Sequence, residues 1–332
     1  MQINELKILT SGIYLKEEDK NGSLEELYAK YKHKITNKNV KKELEYVEKY
    51  NIKLIDFFSN DYPSSLKNMP YPPSVLYVDG QLKENELSLS VVGTRYPSGY
   101  GQRVVKYLIP YLVKSGFSII SGLAKGIDAL AHKETIDNGG YTIAVLGCGI
   151  DITYPPENKN LFDYIKKQGC IISEFPIGTK PLKYNFPTRN RVIAALSKAT
   201  LVVEADIKSG SLITARLAEE FSKTVFAVPG EIFSKRSKGT NKLINEGAIA
   251  VNDIDAILSH FYIEIKKEIE EIKKEKPNKE EQFILDALNG DTSIDELMIK
   301  TSMDISQLND ILFDLEMKGL IKRTPSDGYE KL

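Results

Sequence analysis

The chain has 332 residues, 42% of them hydrophobic and 27% charged, with a formal net charge of −1. That length suits one domain with a full core plus one or two smaller ones, and no apolar run approaches the roughly 20 residues that span a bilayer. Near-neutrality excludes a global pull toward nucleic acid, so any such role must rest on local charge distribution.

The N-terminus, MQINELKILTSG, lacks the basic-then-apolar order of a signal peptide, which makes the cytoplasm the expected compartment. Weakly amphipathic stretches (ELKILTSGIYL, SLEELYAKYKHKI, VKKELEYVEKYNI) then predict a small helical domain over residues 1–70. Its end merges into a Pro- and Tyr-rich connector, DYPSSLKNMPYPPSVLY.

From about residue 87 short β-branched runs alternate with helical ones. The expected strands are LSVVG (89–93), FSIIS (117–121), YTIAVL (141–146), CIIS (170–173), TLVVEA (200–205), TVFAVP (224–229) and AIAV (248–251). Each is short and continuously apolar, as strands covered on both faces are. Between them lie patterns such as QRVVKYLIPYLVKSG, with apolar residues at helical spacing and Gly116 ending the run. The alternation predicts an α/β fold over residues 71–262: an extended Rossmann-like, doubly wound, mostly parallel sheet.

After His260 a charge run, IKKEIEEIKKEKPNKEE, is relieved only by Ile265, Ile269 and Ile272 and ends near Pro277, predicting a linker over 263–278. Residues 279–332 give three helical patterns, then LIKRTP, a turn at SDG, and YEKL, which together predict a winged helix. Ser293 and Glu296 have capping-box spacing. The third helix carries Asp304, Asp310, Asp314 and Glu316 and no cation before Lys318, a poor surface for a DNA major groove.

In doubly wound sheets ligands bind beyond the carboxyl ends of the strands. Five loops there are rich in glycine, small hydroxyls and cations: GTRYPSGYG, SGLAKGID, GCGIDITYPPEN, EADIKSGS and VPGEIFSKRSKGTN. Gly93, Gly99 and Gly101 are wrongly spaced for a dinucleotide fingerprint, so the first loop suits phosphate but not NAD. No carboxylate lies between Glu174 and Glu204, where Lys180, Lys183, Arg189, Arg191 and Lys198 fall, nor between Glu231 and Glu246, where Lys235, Arg236, Lys238 and Lys242 fall. With Lys208 these predict a basic groove along one rim, in which Tyr184 or Phe186 offers a ring for base stacking. Either ring also suits loop packing. Cys148 and Cys170 are too far apart for CxxC, and His33, His132 and His260 are scattered, so neither a metal nor another cofactor is expected.

The series VVGTR, SGLAKGIDALAH, AVLGCGIDITYPPENKNL, SEFPIGTKP, FPTRNRVIAALS, VVEADIKSGSLITA and VFAVPG with SKGTNKLINEGA resembles the DNA-processing protein A family, DprA or Smf, from about residue 53 to about 258. The resemblance implies a homodimer that binds single-stranded DNA without sequence preference and loads RecA recombinase onto it during natural transformation. It also implies a C-terminal winged helix and a sterile-alpha-motif-like or helix-hairpin-helix-like N-terminus, although this one lacks a clear Gly-x-Gly hairpin. On the matching motifs, Gly93, Thr94 and Arg95 resemble the loop after the first strand, with Arg95 similar to a DNA contact. Lys183 and Phe186 resemble a basic and an aromatic contact. Ser121, Gly122 and Gly126, with Ser209, Gly210 and Ser211, look like phosphate donors, and Lys125, Lys208, Asn241 and Lys242 complete the candidate surface. Arg189, Asn190 and Arg191, at a helix start, suit either DNA contact or the fixing of loops.

Two other readings compete. A nucleotide-processing Rossmann enzyme of the lysine-decarboxylase-like type, a nucleoside monophosphate phosphoribohydrolase, shows a PGGxGTxxE loop; this chain has VPGEIFSKRSKGT, without the double glycine and with Glu231 too early. A transcription regulator needs a basic recognition helix. Asp128 and His132 have acid–base spacing on a helix, but such a pair more often orders a loop, and Cys148 has no histidine near it in sequence. No enzyme activity is expected.

Overall fold

The computed structural model describes residues 2–35, 39–261, 277–324 and 328–332. These divide into two units, Met1–Ile263 and Glu264–Leu332.

The first unit opens with α1 (Ile3–Thr10), α2 (Leu24–Tyr31) and α3 (Val40–Lys49), then β1 (Lys53–Asp56), α4 (Ser64–Lys67) and β2 (Val75–Gly80). Alternation follows: β3 (Ser88–Val92), α5 (Gly99–Lys114), β4 (Ser118–Ser121), α6 (Ile127–Asp137), β5 (Thr142–Leu146), α7 (Lys159–Gln168), β6 (Cys170–Ser173) and α8 (Asn185–Leu196). The unit closes with β7 (Ala199–Val202), α9 (Ser211–Glu220), β8 (Thr224–Ala227), α10 (Lys238–Asn245), β9 (Ile249–Ala250) and α11 (Asp255–Leu258).

The strands form one sheet in the order β1-β2-β6-β5-β4-β3-β7-β8-β9. Neighbours from β6 to β9 are parallel, whereas β2 runs antiparallel to both β1 and β6. All seven strands read from the sequence are present, and the doubly wound parallel sheet they predict is the one observed. β1 and β2 are additions: the first lies inside the 1–70 stretch read as a helical domain, the second begins at the end of the Pro-rich connector and runs past it.

Side chains alternate across the sheet, as the strand period of two requires. Val92, Ile120, Ile143, Val145, Ile172 and Val202 face α8 and α9 in one core layer, while Leu89, Val91, Ile119, Leu201 and Phe226 face α5 and α6 in another. Burial of each such side chain contributes about 1.5–3 kcal/mol. The N-terminal helices join the same unit through β2: the Tyr77 hydroxyl donates to the Glu43 carboxylate (2.8 Å), which also accepts the Ile177 N–H (3.0 Å) in the loop after β6.

The second unit contains α12 (Lys279–Ala287), α13 (Ile294–Thr301), α14 (Ile305–Met317) and the antiparallel hairpin β10 (Ile321–Arg323) with β11 (Tyr329–Lys331). Ile284, Leu297, Leu308, Leu312 and Leu315 make its core. The Ser293 hydroxyl accepts the Glu296 N–H (3.3 Å), as the capping spacing predicts, and Asp304 caps α14. The expected linker lies outside the described residues as far as 276, taking Ile265, Ile269 and Ile272 with it, as do Ser326 and Asp327 of the expected turn. Among the described residues no helix is long and apolar enough to cross a membrane.

Candidate nucleic-acid interface

From β3 the chain winds outward through β4, β5 and β6, then returns to lay β7 on the other side of β3. The loops after β3, β4 and β7 therefore part at the carboxyl edge, the place where open α/β sheets take ligands. The loop after β3 is fastened at several points. The Thr94 N–H donates to the Glu204 carbonyl (2.8 Å), and the Thr94 carbonyl accepts the first amide of α6, from Ile127 (3.2 Å). The buried Glu204 carboxylate accepts the Ser98 N–H (2.9 Å) and the Ser98 hydroxyl, and that hydroxyl caps α5 by accepting the Gly101 N–H (3.2 Å).

Arg95 projects from this fastened loop into solvent, with its guanidinium carbon 5.7 Å from the centroid of the Phe186 ring. Phe186, in the first turn of α8, is half-buried against Tyr154, their centroids 5.5 Å apart. Its ring also lies on Gly147, where an added Cβ would stand 2.7 Å from the ring edge, so only glycine leaves room for the ring at that position. Together with Tyr96, Lys125 and Cys148 these residues line a cavity of about 210 Å3. A ring beside a guanidinium, open to solvent, can hold a flat aromatic base and the phosphate next to it.

Arg189 forms the inner wall of this cavity and is only 4% exposed. Its Nη1 donates to the Gly122 carbonyl (2.7 Å) and to the Val145 carbonyl, tying the ends of β4 and β5 together. Burial pushes its pKa down and that of Asp128 up, and the charge of each opposes the other's shift. Arg191 turns away: it pairs with the buried Glu174, donates to the Tyr71 carbonyl (2.6 Å) and covers the Tyr14 ring at 4.6 Å. For these two arginines the geometry favours the fixing of loops over DNA contact. Asn190 reaches the Gly210 carbonyl (3.4 Å) and links α8 to the start of α9.

Several expected phosphate donors are also occupied internally. The buried Ser121 hydroxyl donates to the Val91 carbonyl (2.6 Å), and the buried Gly122 N–H to Asp128 (3.1 Å). Asn241 brackets Gly230, accepting its N–H (3.1 Å) and donating to its carbonyl (2.9 Å). Ser209 and Ser211 share a hydrogen bond (2.8 Å) at the start of α9. Gly93 and Gly126 let the β3 loop and α6 approach closely. Of the cations, Lys125 pairs with Glu157 (2.5 Å) and Lys242 with Glu246 (3.5 Å), both at the surface. Lys183 and Lys208 are exposed and, like Arg95, form no ion pair among the described residues. Lys198 precedes β7 and pairs with Glu86 (2.7 Å), which puts it at the opposite end of the strands from the carboxyl edge.

Sequence reasoning missed Gly147, Tyr154 and Glu204 as site builders. The only signal for the first two was their place in GCGIDITYPPEN, and Glu204 looked merely like the boundary of a basic segment.

Residues 53–262 match the model of a family described as DNA recombination-mediator protein A, and residues 272–327 match the DprA winged helix domain. The chain belongs to this family. Protein Smf of Escherichia coli is 37% identical over 305 residues, spanning 89% of this chain and 81% of its own. DNA processing protein DprA of Bacillus subtilis is 43% identical over 202 residues, 60% of this chain and 68% of its own. Among solved structures, DprA from Streptococcus pneumoniae superposes with a TM-score of 0.67 at 32% identity, covering 80% of this chain and all of that one (100%). DNA processing protein A from Helicobacter pylori, described for its unique single-stranded DNA binding mode, gives 0.59 at 30% identity over 64% of this chain and 96% of its own.

Proposed function

We propose that this protein binds single-stranded DNA, without sequence preference, along the carboxyl edge of its sheet. The observation that carries the proposal is Arg95: a cation at the switch point with no carboxylate partner among the described residues, on a fastened loop, beside a half-open phenylalanine. Phosphates are gripped by Arg95, Lys183 and Lys208, and a base lies on Phe186. Family membership and the DNA-binding description of the Helicobacter pylori relative support the same reading. In this proposal the protein acts as a homodimer in the cytoplasm and loads RecA recombinase onto incoming DNA during natural transformation.

The reading requires no catalysis. Two groups weighed for catalysis are poorly placed for it: burial pushes the Cys148 thiol up to about 11, and His132 is fully buried with its pKa pushed down to about 3. Asp128 orders the Gly122 amide rather than facing His132, whose Nδ1 instead meets the Thr142 hydroxyl at 2.6 Å. Gel shifts with single- and double-stranded oligonucleotides, alongside light scattering, test the proposal; equal affinity for both, or none for oligo-dT at low salt, defeats it. Release of free base from a nucleoside monophosphate would favour the phosphoribohydrolase alternative.

A further inference from the structure

The loop after β8 carries two large apolar side chains in water, Ile232 at 73% exposure and Phe233 at 88%. The loop itself is well anchored. Asn241 brackets Gly230 at one end, and at the other the Arg236 carbonyl accepts the Ala205 N–H (2.7 Å) from the loop after β7. The Arg236 side chain crosses the switch crevice and donates through Nε to the Tyr96 carbonyl (2.8 Å), next to Arg95. A fixed loop thus holds an exposed ring outward, among Lys235, Arg236 and Lys238, all exposed.

An exposed apolar residue on an ordered, cationic loop suits a ligand with both flat apolar faces and negative charge. Resting on the function proposed above, we propose that Phe233 is a second stacking station for the same DNA strand, reached after the strand passes Arg95 and Tyr96. Phe186 sits over the end of β5 and Phe233 follows β8, four strand spacings apart in the sheet order. At about 4.8 Å per spacing the separation is roughly 19 Å. A stacked strand rising about 3.4 Å per nucleotide covers it in roughly six nucleotides. A strand of that length engages both rings; a very short one engages only one.

The chain contains no tryptophan (Trp 0), so Phe233→Trp installs a sole indole at a fully open position. Its emission is expected to be quenched when oligo-dT of about 20 nucleotides is added, as a base stacks on it. Phe233→Ala is expected to weaken binding of that oligonucleotide roughly tenfold and to leave the affinity for a trinucleotide unchanged. Wild-type binding with unquenched indole, or Phe233→Ala affinities equal to wild type at every length, overturns the second station alone. Quenching that follows protein concentration without DNA assigns the ring to a second copy of the chain and also overturns it. A wild type that ignores oligo-dT removes the proposed function and this extension together.

Discussion

Replacing Arg95 by Ala probes the electrostatic core of the binding proposal. Because Arg95 has no carboxylate partner among the described residues and lies in solvent, the free protein loses little: stability is expected to stay within about 0.5 kcal/mol of wild type. The loss falls on binding. One charge-assisted hydrogen bond to phosphate contributes about 1.5–3 kcal/mol, or roughly 10- to 150-fold in affinity. One phosphate contact fewer also flattens the slope of log K against log salt by about 0.7 for a single strand. Over a roughly fourfold rise in salt, wild type is therefore expected to lose about 2.6-fold more affinity than the variant. Fluorescence anisotropy of labelled oligo-dT and oligo-dA across a salt series measures both effects. An unchanged slope, or weakening confined to one base composition, would refute the assignment of Arg95 to a phosphate.

Phe186→Ala is expected to weaken oligo-dT and oligo-dA alike by about 1–3 kcal/mol, since every base offers a stacking face; a loss seen with only one of them would point to base-specific recognition instead. Arg189→Met leaves Asp128 buried without its neighbouring cation and two strand-end carbonyls without a donor, so a stability loss of about 3–5 kcal/mol in urea unfolding is expected. Wild-type stability with lost DNA binding would make Arg189 a contact rather than a brace. His132 titrates near its ordinary 6.5 when unfolded but only near about 3 when buried, so between these values the unfolded chain binds the extra proton. Stability is expected to decline as pH falls below 6.5, by up to about 1.4 kcal/mol per pH unit from this group, and His132→Leu should lose that component; identical pH profiles would contradict it. Deleting residues 277–332 is expected to leave single-strand affinity within about twofold, because α14 carries neither lysine nor arginine, and a larger drop in anisotropy titrations would show that the winged helix takes part.

The parallel strands were legible because each is a run such as CIIS that no amphipathic helix could use. β1 was not, since Lys53-Leu54-Ile55-Asp56 is too short for a period, and its end is secured by a tertiary ion pair from Lys7 to Asp56 (3.0 Å). β2 hid behind Pro70, Pro72 and Pro73, which read as a connector. The segregation of charge along the chain was visible, but its division between exposed and buried side chains was not. Arg189 and Arg191 are two residues apart, yet one meets the ends of β4 and β5 and the other meets Glu174, choices set by strands remote in sequence. Phe186 likewise kept two readings until the loop after β5 supplied Gly147 and Tyr154 as its bed.

The Glu204 carboxylate, buried beneath the first loop and holding Ser98 by both amide and hydroxyl, fixes that loop by contacts internal to the chain. On the proposed function, the arginine-bearing turn is therefore held in place without help from the polynucleotide. Association then needs little rearrangement of the backbone, so ordering entropy is small and encounter speed is governed by charge and diffusion. In that proposal, such a ready-made clasp suits a strand that is exposed only briefly.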